Sequence, residues 1–407
     1  MKKIKQFIPL IVGILVLIVL VAARAWGMSH LPKDGRWPNV AGGMYDKAVM
    51  KNGVEYYVPP DEIYENGLGK NGLPALNSAT YVTVAVADDV LADDVEGIDV
   101  AVNGQHRFYS FQILNWHGLV NDRFGDKDLL VSYSSLCGSA VVYDRVVEDG
   151  ITRTFGDNGQ VYNNCPVLYD DKSEELWDQA NGLLISGHEH SMELARYPSA
   201  VMTWSAWKDA NPKGEVLSTE TGFQRDYRRH PYGNYDNNTS LFFPVNKTDT
   251  RLGVKDIVYD LNLGWNGESR VGITQKFMDF VKEPNYRGPN IKDESRAYTV
   301  FFGADGAPNV FDRVVDDQEL TFIREANEIK DNETKSRWNA EGVCISGKLK
   351  GKKLDAYVVP TARYFAFAYV SQFPTAVLLG SDVFDAEQAK ASAPKAVDPS
   401  TEINVTP

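Results

Sequence analysis

Cysteine is scarce in this chain of 407 residues. The three cysteines, Cys137, Cys165 and Cys344, are too few for the disulfide framework that small secreted domains use. The sequence leaves room for one disulfide bridge, and Cys137 and Cys165 are the favoured pair because they lie in the same half of the chain. Cys344 stands among apolar and small residues, so we expect it to be a core side chain.

Acidic residues outnumber basic residues in this sequence, and the net charge is -13. Nucleic acid and anionic membrane surfaces bind clustered Lys and Arg, so neither is expected as a partner. One short basic segment, 225–230, is predicted to be a solvated loop, with the docking of an anion as the alternative. The sequence also lacks a Ser-His-Asp spacing and a nucleophile-elbow glycine pattern, which disfavours a hydrolase of cell-wall material.

One long apolar run, at residues 7–23, follows a basic N-terminus. This pattern predicts translocation across a membrane, with residues 1–25 acting as a signal anchor or a signal peptide. The length of the run favours an uncleaved anchor, while Ala23-Arg-Ala25 offers a cleavage site that would give a secreted protein. Lysines before the run place the body outside the cytoplasm, attached to the membrane through the N-terminal helix.

One pattern occurs twice in the body of the chain. Tyr-Asp-Arg-Val-Val at 143–147 returns as Phe-Asp-Arg-Val-Val at 311–315, and each is followed by a tryptophan (Trp177, Trp338) and then by Ile-Ser-Gly. The period is too long for a solenoid and predicts two copies of one domain-sized unit. Residues that both copies keep are expected to be scaffold, so the side chains found in the first copy alone should mark the function.

The predicted fold is mainly β, with two related β-rich units after the N-terminal membrane segment and few helices. Alternation at 80–86 and at 98–102, the latter before Asn103-Gly104, predicts strands and a hairpin turn. Helices are predicted at 273–281 and 316–329. The predicted organisation is an extended lead-in at 26–75, a first β unit with the candidate site at 76–252, a second, degenerate unit at 253–385, and a disordered tail at 386–407.

Several short motifs follow one another in a specific order. They are Gly-Leu-Gly-Lys-Asn-Gly-Leu-Pro at 67–74, Ile-Leu-Asn-Trp-His at 113–117, Val-Asn-Asp at 120–122, Leu-Cys-Gly at 136–138, Leu-Trp-Asp-Gln at 176–179, Arg-Asp-Tyr at 225–227 and the segment 364–374. In order and spacing they resemble the domain-of-unknown-function 3179 family of bacteria and archaea. The resemblance covers most of the body and implies no activity, because the family has none assigned.

Members of that family typically carry Trp-His-Glu and Tyr-Cys-Pro-Leu-Cys-Gly, and this chain departs from the pattern at Gly118 and Ser134. The resemblance implies a constellation of histidine, carboxylates and a cysteine pair, which suits copper or zinc or thiol exchange. Ser134 cannot act as a resolving thiol. A Cys-x-x-Cys dithiol that includes Cys137 is therefore absent.

His117, Asp122 and Cys137 are the strongest surviving candidates for catalytic residues. A metal site would need His117, Cys137 and Cys165 to converge with Asp122 or water, and the ion would be copper or zinc. A nucleophile site would need His117 beside Cys137 as its base. In the structural alternative, which has about equal weight, His117 caps a turn, Asp122 bonds neighbouring backbone and Cys137 packs in the core.

The leading hypothesis is an exported, membrane-anchored protein that binds a soft metal or carries thiol chemistry at a site centred on Cys137. The alternative is a non-catalytic cell-envelope scaffold with a decayed site, whose aromatic and loop surfaces bind a protein or glycan partner. His188-Glu-His190 resembles a pair of metal ligands, but a solvated strand face that binds metal only adventitiously is favoured, since the second copy has lysines there.

Overall fold

The computed structural model describes residues 49–385, with gaps at 148, 188–191, 263–269, 279–284, 288–296, 304–305, 326–327, 357–360, 375 and 383–384. In these residues the protein is mainly β, as predicted, with 28 strands and five α-helices. The proposed membrane segment, residues 26–48 of the lead-in, His188, His190 and the tail lie outside the described residues. None of the described helices has the length and apolarity that a membrane span requires.

The strands of the first half are short. β1 to β15 are, in chain order, Val49–Lys51, Val54–Tyr56, Ile63–Glu65, Tyr81–Thr83, Glu96–Val102, Gln105–Ser110, Leu119–Phe124, Lys127–Ser134, Ser139–Asp144, Phe155–Tyr162, Cys165–Asp170, Leu176–Asp178, Leu184–Ser186, Ser199–Thr203 and Glu215–Leu217.

The second half has the same character. β16 to β28 are Ile257–Asn262, Arg270–Ile273, Asn285–Arg287, Ala297–Phe302, Pro308–Asp312, Val314–Val315, Gln318–Glu319, Phe322–Glu325, Glu328–Asp331, Arg337–Trp338, Cys344–Ser346, Thr361–Phe365 and Val377–Leu378. The helices α1 to α5 are Val84–Asp88, Phe111–His117, Trp204–Ala210, Gln275–Met278 and Ala366–Gln372.

Three larger sheets contain most of the strands. The first has the order β1-β2-β13-β12-β11-β10-β3, so the described part of the lead-in adds strands to both of its edges. The second has the order β14-β5-β6-β15-β4. The third, β28-β17-β16-β27-β9-β8-β7, joins strands of both halves through the pairing of Arg363 on β27 with Ala140 on β9. The two halves therefore share a sheet.

Matching arrangements occur in the two halves. β14-β5-β6-β15 and β27-β16-β17-β28 each have two antiparallel pairings followed by one parallel pairing. The meanders β10–β13 and β23–β26 each have a register irregularity just before a tryptophan. The indole Nε1 of Trp177 donates to Asp170, and that of Trp338 to Asp331, both at 3.0 Å.

Local sequence explains the hairpin and the helix that hold much of the site. Asn103 and Gly104 both have positive φ, which a tight turn between β5 and β6 requires, so the predicted hairpin is confirmed. α2 begins after Ser110, whose hydroxyl accepts the N–H of Gln112 at 3.1 Å, and ends at Gly118, where φ is 71°. Its buried face carries His117.

Two predictions of secondary structure are wrong in part or in whole. The predicted strand at 80–86 ends at Thr83, and α1 follows directly. The predicted helix at 316–329 is absent, because the chain forms β22, β23 and β24 instead. Phe322 is fully buried and Glu325 exposed on a strand that pairs with β24, so tertiary packing overrides the helix-like spacing. In the window predicted at 273–281, the described helix is α4.

Candidate functional site

His117 is fully buried at the end of α2, and both of its ring nitrogens have partners. Nδ1 lies 2.8 Å from the carbonyl oxygen of Pro74, and Nε2 lies 2.7 Å from the hydroxyl of Tyr227. A carbonyl only accepts, so Nδ1 carries the proton and Nε2 accepts from Tyr227. The hydroxyl of Thr221 then donates to the Tyr227 oxygen.

This bonding occupies both ring nitrogens that the predicted metal-ligand and base roles of His117 would use. Burial lowers the pKa of His117 below its usual 6.5, although the bond to Pro74 opposes the shift, so the ring is neutral near pH 7. A metal ligand or a general base needs a free nitrogen lone pair, and here the lone pair of Nε2 is occupied. Within the described residues, no three His, Cys, Asp or Glu side chains are grouped so as to hold a metal ion, so the predicted set of His117, Cys137 and Cys165 does not form.

Asp122 belongs to an ion pair on the edge strand β7. Its Oδ2 accepts from the Tyr109 hydroxyl at 2.6 Å and from Arg107 Nη1 at 2.8 Å. The guanidinium of Arg107 lies between the rings of Tyr81 and Phe124, 4.0 Å and 4.1 Å from their centroids. The prediction that Asp122 acts with Cys137 is therefore not supported. Asp122 ties β7 to β6, and it bonds side chains rather than the neighbouring backbone that the structural alternative predicted.

Cys137 and Cys165 are the two predicted site residues that the fold does bring together. Both are free thiols with no solvent exposure, one in the turn after β8 and the other at the start of β11. Their side chains lie in the same buried core cluster and interact electrostatically. The favoured cysteine pair is thus adjacent but reduced, and Cys344 is a buried core thiol in the second half, as predicted.

An ordered chain of donors orients the thiol of Cys137. Cys137 Sγ donates to Ser139 Oγ at 3.1 Å, and Ser139 donates to Gln179 Oε1 at 2.5 Å. The amide of Gln179 donates in turn to Ser132, whose hydroxyl donates to a backbone carbonyl. The proton of the Cys137 thiol therefore points toward Ser139.

A carboxyl group that changes charge near neutral pH lies beside Cys165. Asp178 is fully buried, and burial raises the pKa of its carboxyl to about 7. The backbone N–H of Ala180 and the side chain of Asn181 donate to it and, with the nearby Gln372, oppose the shift. Burial, the neighbouring Cys137 thiol and the charge of Asp178 all raise the pKa of the Cys165 thiol. Asp178 is therefore positioned as a base beside a thiol that does not ionise readily by itself.

The second half of the chain covers this pair. The N–H of Phe365 donates to the carbonyl of Cys137 at 2.9 Å, and the ring of Phe365 packs on Gly138. Gln372, at the end of α5, accepts from Asn181 at 3.2 Å and lies next to Cys165 and Asp178. The thiol pair therefore lies at the contact between the halves.

A cavity of about 420 Å³ lies next to the thiol pair. His117, Ser134, Ser135, Leu136 and Gln179 line it, so two of the sequence motifs, 113–117 and 136–138 with the preceding serines, meet at one cavity. Cys137 is not among the described lining residues. The cavity thus exposes the position at which the resembled family has its first cysteine, while the surviving cysteine lies behind Leu136.

Comparison with known proteins supports the resemblance seen in the sequence. The model of the family described as "Protein of unknown function (DUF3179)" matches residues 70–376. The chain belongs to this family. No curated protein and no solved structure matches it.

The family motifs included two important residues that were not recognised as such. Asp178 and Gln179 end the motif Leu-Trp-Asp-Gln, and the second half has Asn339 and Ala340 after its own tryptophan. This difference between the halves was a usable signal, because both residues contact the thiol network. Tyr227 and Gln372 also lie within family motifs, at 225–227 and 364–374, but only the fold brings them to His117 and Asn181.

Proposed function

We propose that this DUF3179 protein carries out reversible thiol chemistry at the Cys137–Cys165 pair, with Asp178 as the proton acceptor. The observation that carries the proposal is the placement of two free, buried thiols in one core cluster beside a buried carboxyl group whose pKa is about 7. A thiolate is the attacking species in exchange, so a buried thiol needs a nearby base.

The proposed oxidant is a low-molecular-weight disulfide. Cys165 loses its proton to Asp178 and attacks one sulfur of the disulfide, which forms a mixed disulfide and releases one thiolate. Cys137 then attacks the Cys165 sulfur, forming the intramolecular bond and releasing a second thiolate. The two thiol protons end on the two released thiolates, so the dithiol is oxidised and the reagent is reduced to two thiols. Full burial of both sulfurs implies that exchange needs local opening.

A soft-metal site at the same pair is the second candidate. Two thiols in contact suit copper(I), which favours sulfur ligands, whereas zinc requires more ligands. His117 and Asp122 have other partners, so neither supplies a third ligand in this arrangement. Thiol exchange is therefore the better supported function, and metal content measured on protein purified without chelators separates the two.

The experiment is a redox titration of the full-length protein in glutathione buffers, followed by alkylation and mass spectrometry of the cysteine peptides. We expect one disulfide between Cys137 and Cys165, with Cys344 still alkylated after denaturation. Cys137→Ser and Cys165→Ser should each abolish the bond, and Cys344→Ser is the matched control that should leave it intact. Three thiols that stay reduced at every glutathione ratio would overturn the proposal.

Export and membrane attachment are further parts of the proposal. They rest on the basic N-terminus followed by the apolar run at 7–23. An oxidising compartment outside the cytoplasm would also supply disulfides. N-terminal sequencing of the protein recovered from the membrane and soluble fractions tests both the location and the cleavage after residue 25.

We also propose that the two halves are copies of one unit, of which only the first has kept a reactive site. The matching strand orders and the matching Trp–Asp bonds support this. A non-catalytic scaffold that binds a protein or glycan remains the alternative function. The hydrogen bonds that already occupy His117 and Asp122 favour this alternative. If no disulfide forms in the redox titration, the scaffold is the better supported function.

A further inference from the structure

The cavity beside the thiol pair contains polar groups that the protein does not satisfy. Ser134 is 7 % exposed and Ser135 is 3 % exposed, yet neither hydroxyl bonds any described residue. The Oδ1 atom of Asn115, on the same cavity wall, is buried and also lacks a partner among the described residues. Buried polar groups in folded proteins are nearly always hydrogen-bonded, so the Asn115 oxygen indicates a missing polar partner, and the two serine hydroxyls on the same wall are free to bond it.

The charges around the cavity restrict what that partner is. No described lysine or arginine lines it, so an anion would be buried without a counter-charge. Its one carboxylate, Asp157, already accepts the backbone N–H groups of Gly159 and Leu73. His117 is neutral, with both ring nitrogens bonded. A neutral ligand fits these surroundings best.

The remaining wall is apolar and includes several aromatic rings. Tyr133, Tyr232, Phe242 and Phe243 line the cavity, and Phe242 stacks on Tyr235 with ring centroids 4.7 Å apart. The side chain of Phe242 is nevertheless 55 % exposed. Aromatic rings around a cavity favour a flat aromatic ligand, and a volume of about 420 Å³ lies in the range of small-molecule sites.

We propose that this cavity binds a neutral aromatic small molecule with a hydroxyl or carbonyl group, which Ser134, Ser135 and Asn115 hydrogen-bond. The aromatic rings pack against the ring system of the ligand, and the serines hydrogen-bond its polar end. This site does not depend on the thiol chemistry, because Cys137 and Cys165 take no part in it.

Binding of four probes to the purified full-length protein at pH 7 tests the proposal by calorimetry. The probes share one ring system: 2-naphthol is neutral with a hydroxyl, 2-methylnaphthalene is neutral without one, 2-naphthoate is an anion and 2-naphthylmethylammonium is a cation. We expect 2-naphthol to bind about tenfold more tightly than 2-methylnaphthalene, as one or two hydrogen bonds predict, and both ions to bind more weakly than 2-naphthol.

The double variant Ser134→Ala/Ser135→Ala locates the hydrogen bonds. It should weaken 2-naphthol binding about tenfold and leave 2-methylnaphthalene binding unchanged. Ser205→Ala, at a half-buried serine on α3, a helix that contributes no residue to the cavity wall, is the matched control. The proposal is overturned if no neutral probe binds at millimolar concentration, if 2-naphthoate binds as tightly as 2-naphthol, or if the double variant affects both neutral probes equally.

Discussion

Asp178 is fully buried beside Cys165, and burial raises the pKa of its carboxyl from 3.8 to about 7. In the unfolded chain the same carboxyl loses its proton near pH 4. Between about pH 4 and pH 7 the folded protein therefore holds one more proton than the unfolded chain. The free energy of unfolding is highest below this window and falls as the pH rises through it.

Asp178→Asn should remove this pH dependence. The decrease in unfolding free energy between about pH 4 and pH 7, on the order of 3 kcal/mol in the parent, should be largely absent in the variant. Urea denaturation at a series of pH values measures it. Asp209→Asn, at an exposed aspartate, should keep the slope of the parent. Equal slopes for the parent and Asp178→Asn would show that Asp178 does not titrate in this range.

Tyr227→Phe tests the assignment of the proton on His117. The change removes the donor to Nε2 and leaves a buried acceptor without a partner, which should lower the free energy of unfolding by about 1–3 kcal/mol. Tyr232→Phe is the matched control, because the hydroxyl of Tyr232 bonds no described residue. Denaturant unfolding of the two variants makes the comparison. Similar losses of unfolding free energy in both variants would contradict the proton assignment in the hydrogen-bond chain that runs from Thr221 through Tyr227 and His117 to Pro74.

At the scale of single elements, strands were easier to predict than helices. Asn103-Gly104 between alternating runs identified a hairpin, because the turn demands positive φ at both positions. The helices α1, α2, α3 and α5 have only five to seven residues and follow directly after strands. Such short helices are stabilised by tertiary packing, so no 3.6-residue period is long enough to be seen in the sequence. His117 was assigned to chemistry partly because α2, and therefore its buried face, was not predicted.

The two tryptophan-containing meanders provide a paired test of the proposed duplication. Asp170→Ala and Asp331→Ala each remove the acceptor of a buried indole N–H, so each should destabilise its own meander by about 1–3 kcal/mol. Hydrogen exchange followed by mass spectrometry would locate the effects at residues 155–186 and 322–346. Each variant acts as the control for the other. If only one meander responds to loss of its aspartate, the two elements do not have equivalent roles.

At the scale of the whole molecule, the site depends on contacts between segments that are far apart in sequence. The sequence pointed to Cys137 and Cys165, because they are two thiols in the same half. It could not place His117 and Asp122, since their partners Tyr227, Pro74 and Arg107 are defined only by the fold. Sequence motifs likewise could not predict that β27 and α5 cover the thiols. Pairing across the shared third sheet creates it.

Gly138→Ala tests whether this covering by the second half controls access to the thiols. A Cβ atom at Gly138 would lie 2.7 Å from the ring of Phe365, so the ring must move away and the cover over Cys137 should loosen. We expect the rate of Cys137 alkylation under native conditions to rise at least severalfold, because the thiol is otherwise inaccessible.

Backbone strain must be separated from this effect, since Gly138 has a φ of 62°. Gly150→Ala is the matched control, because Gly150 also has a positive φ, 79°, but its added Cβ would meet no atom within 4 Å. Both variants carry the conformational penalty of about 1 kcal/mol, and only Gly138→Ala displaces Phe365. Alkylation of Cys137 followed by mass spectrometry compares their rates. Equal rates in the two variants would mean that general destabilisation, and not the contact between the halves, exposes the thiol pair.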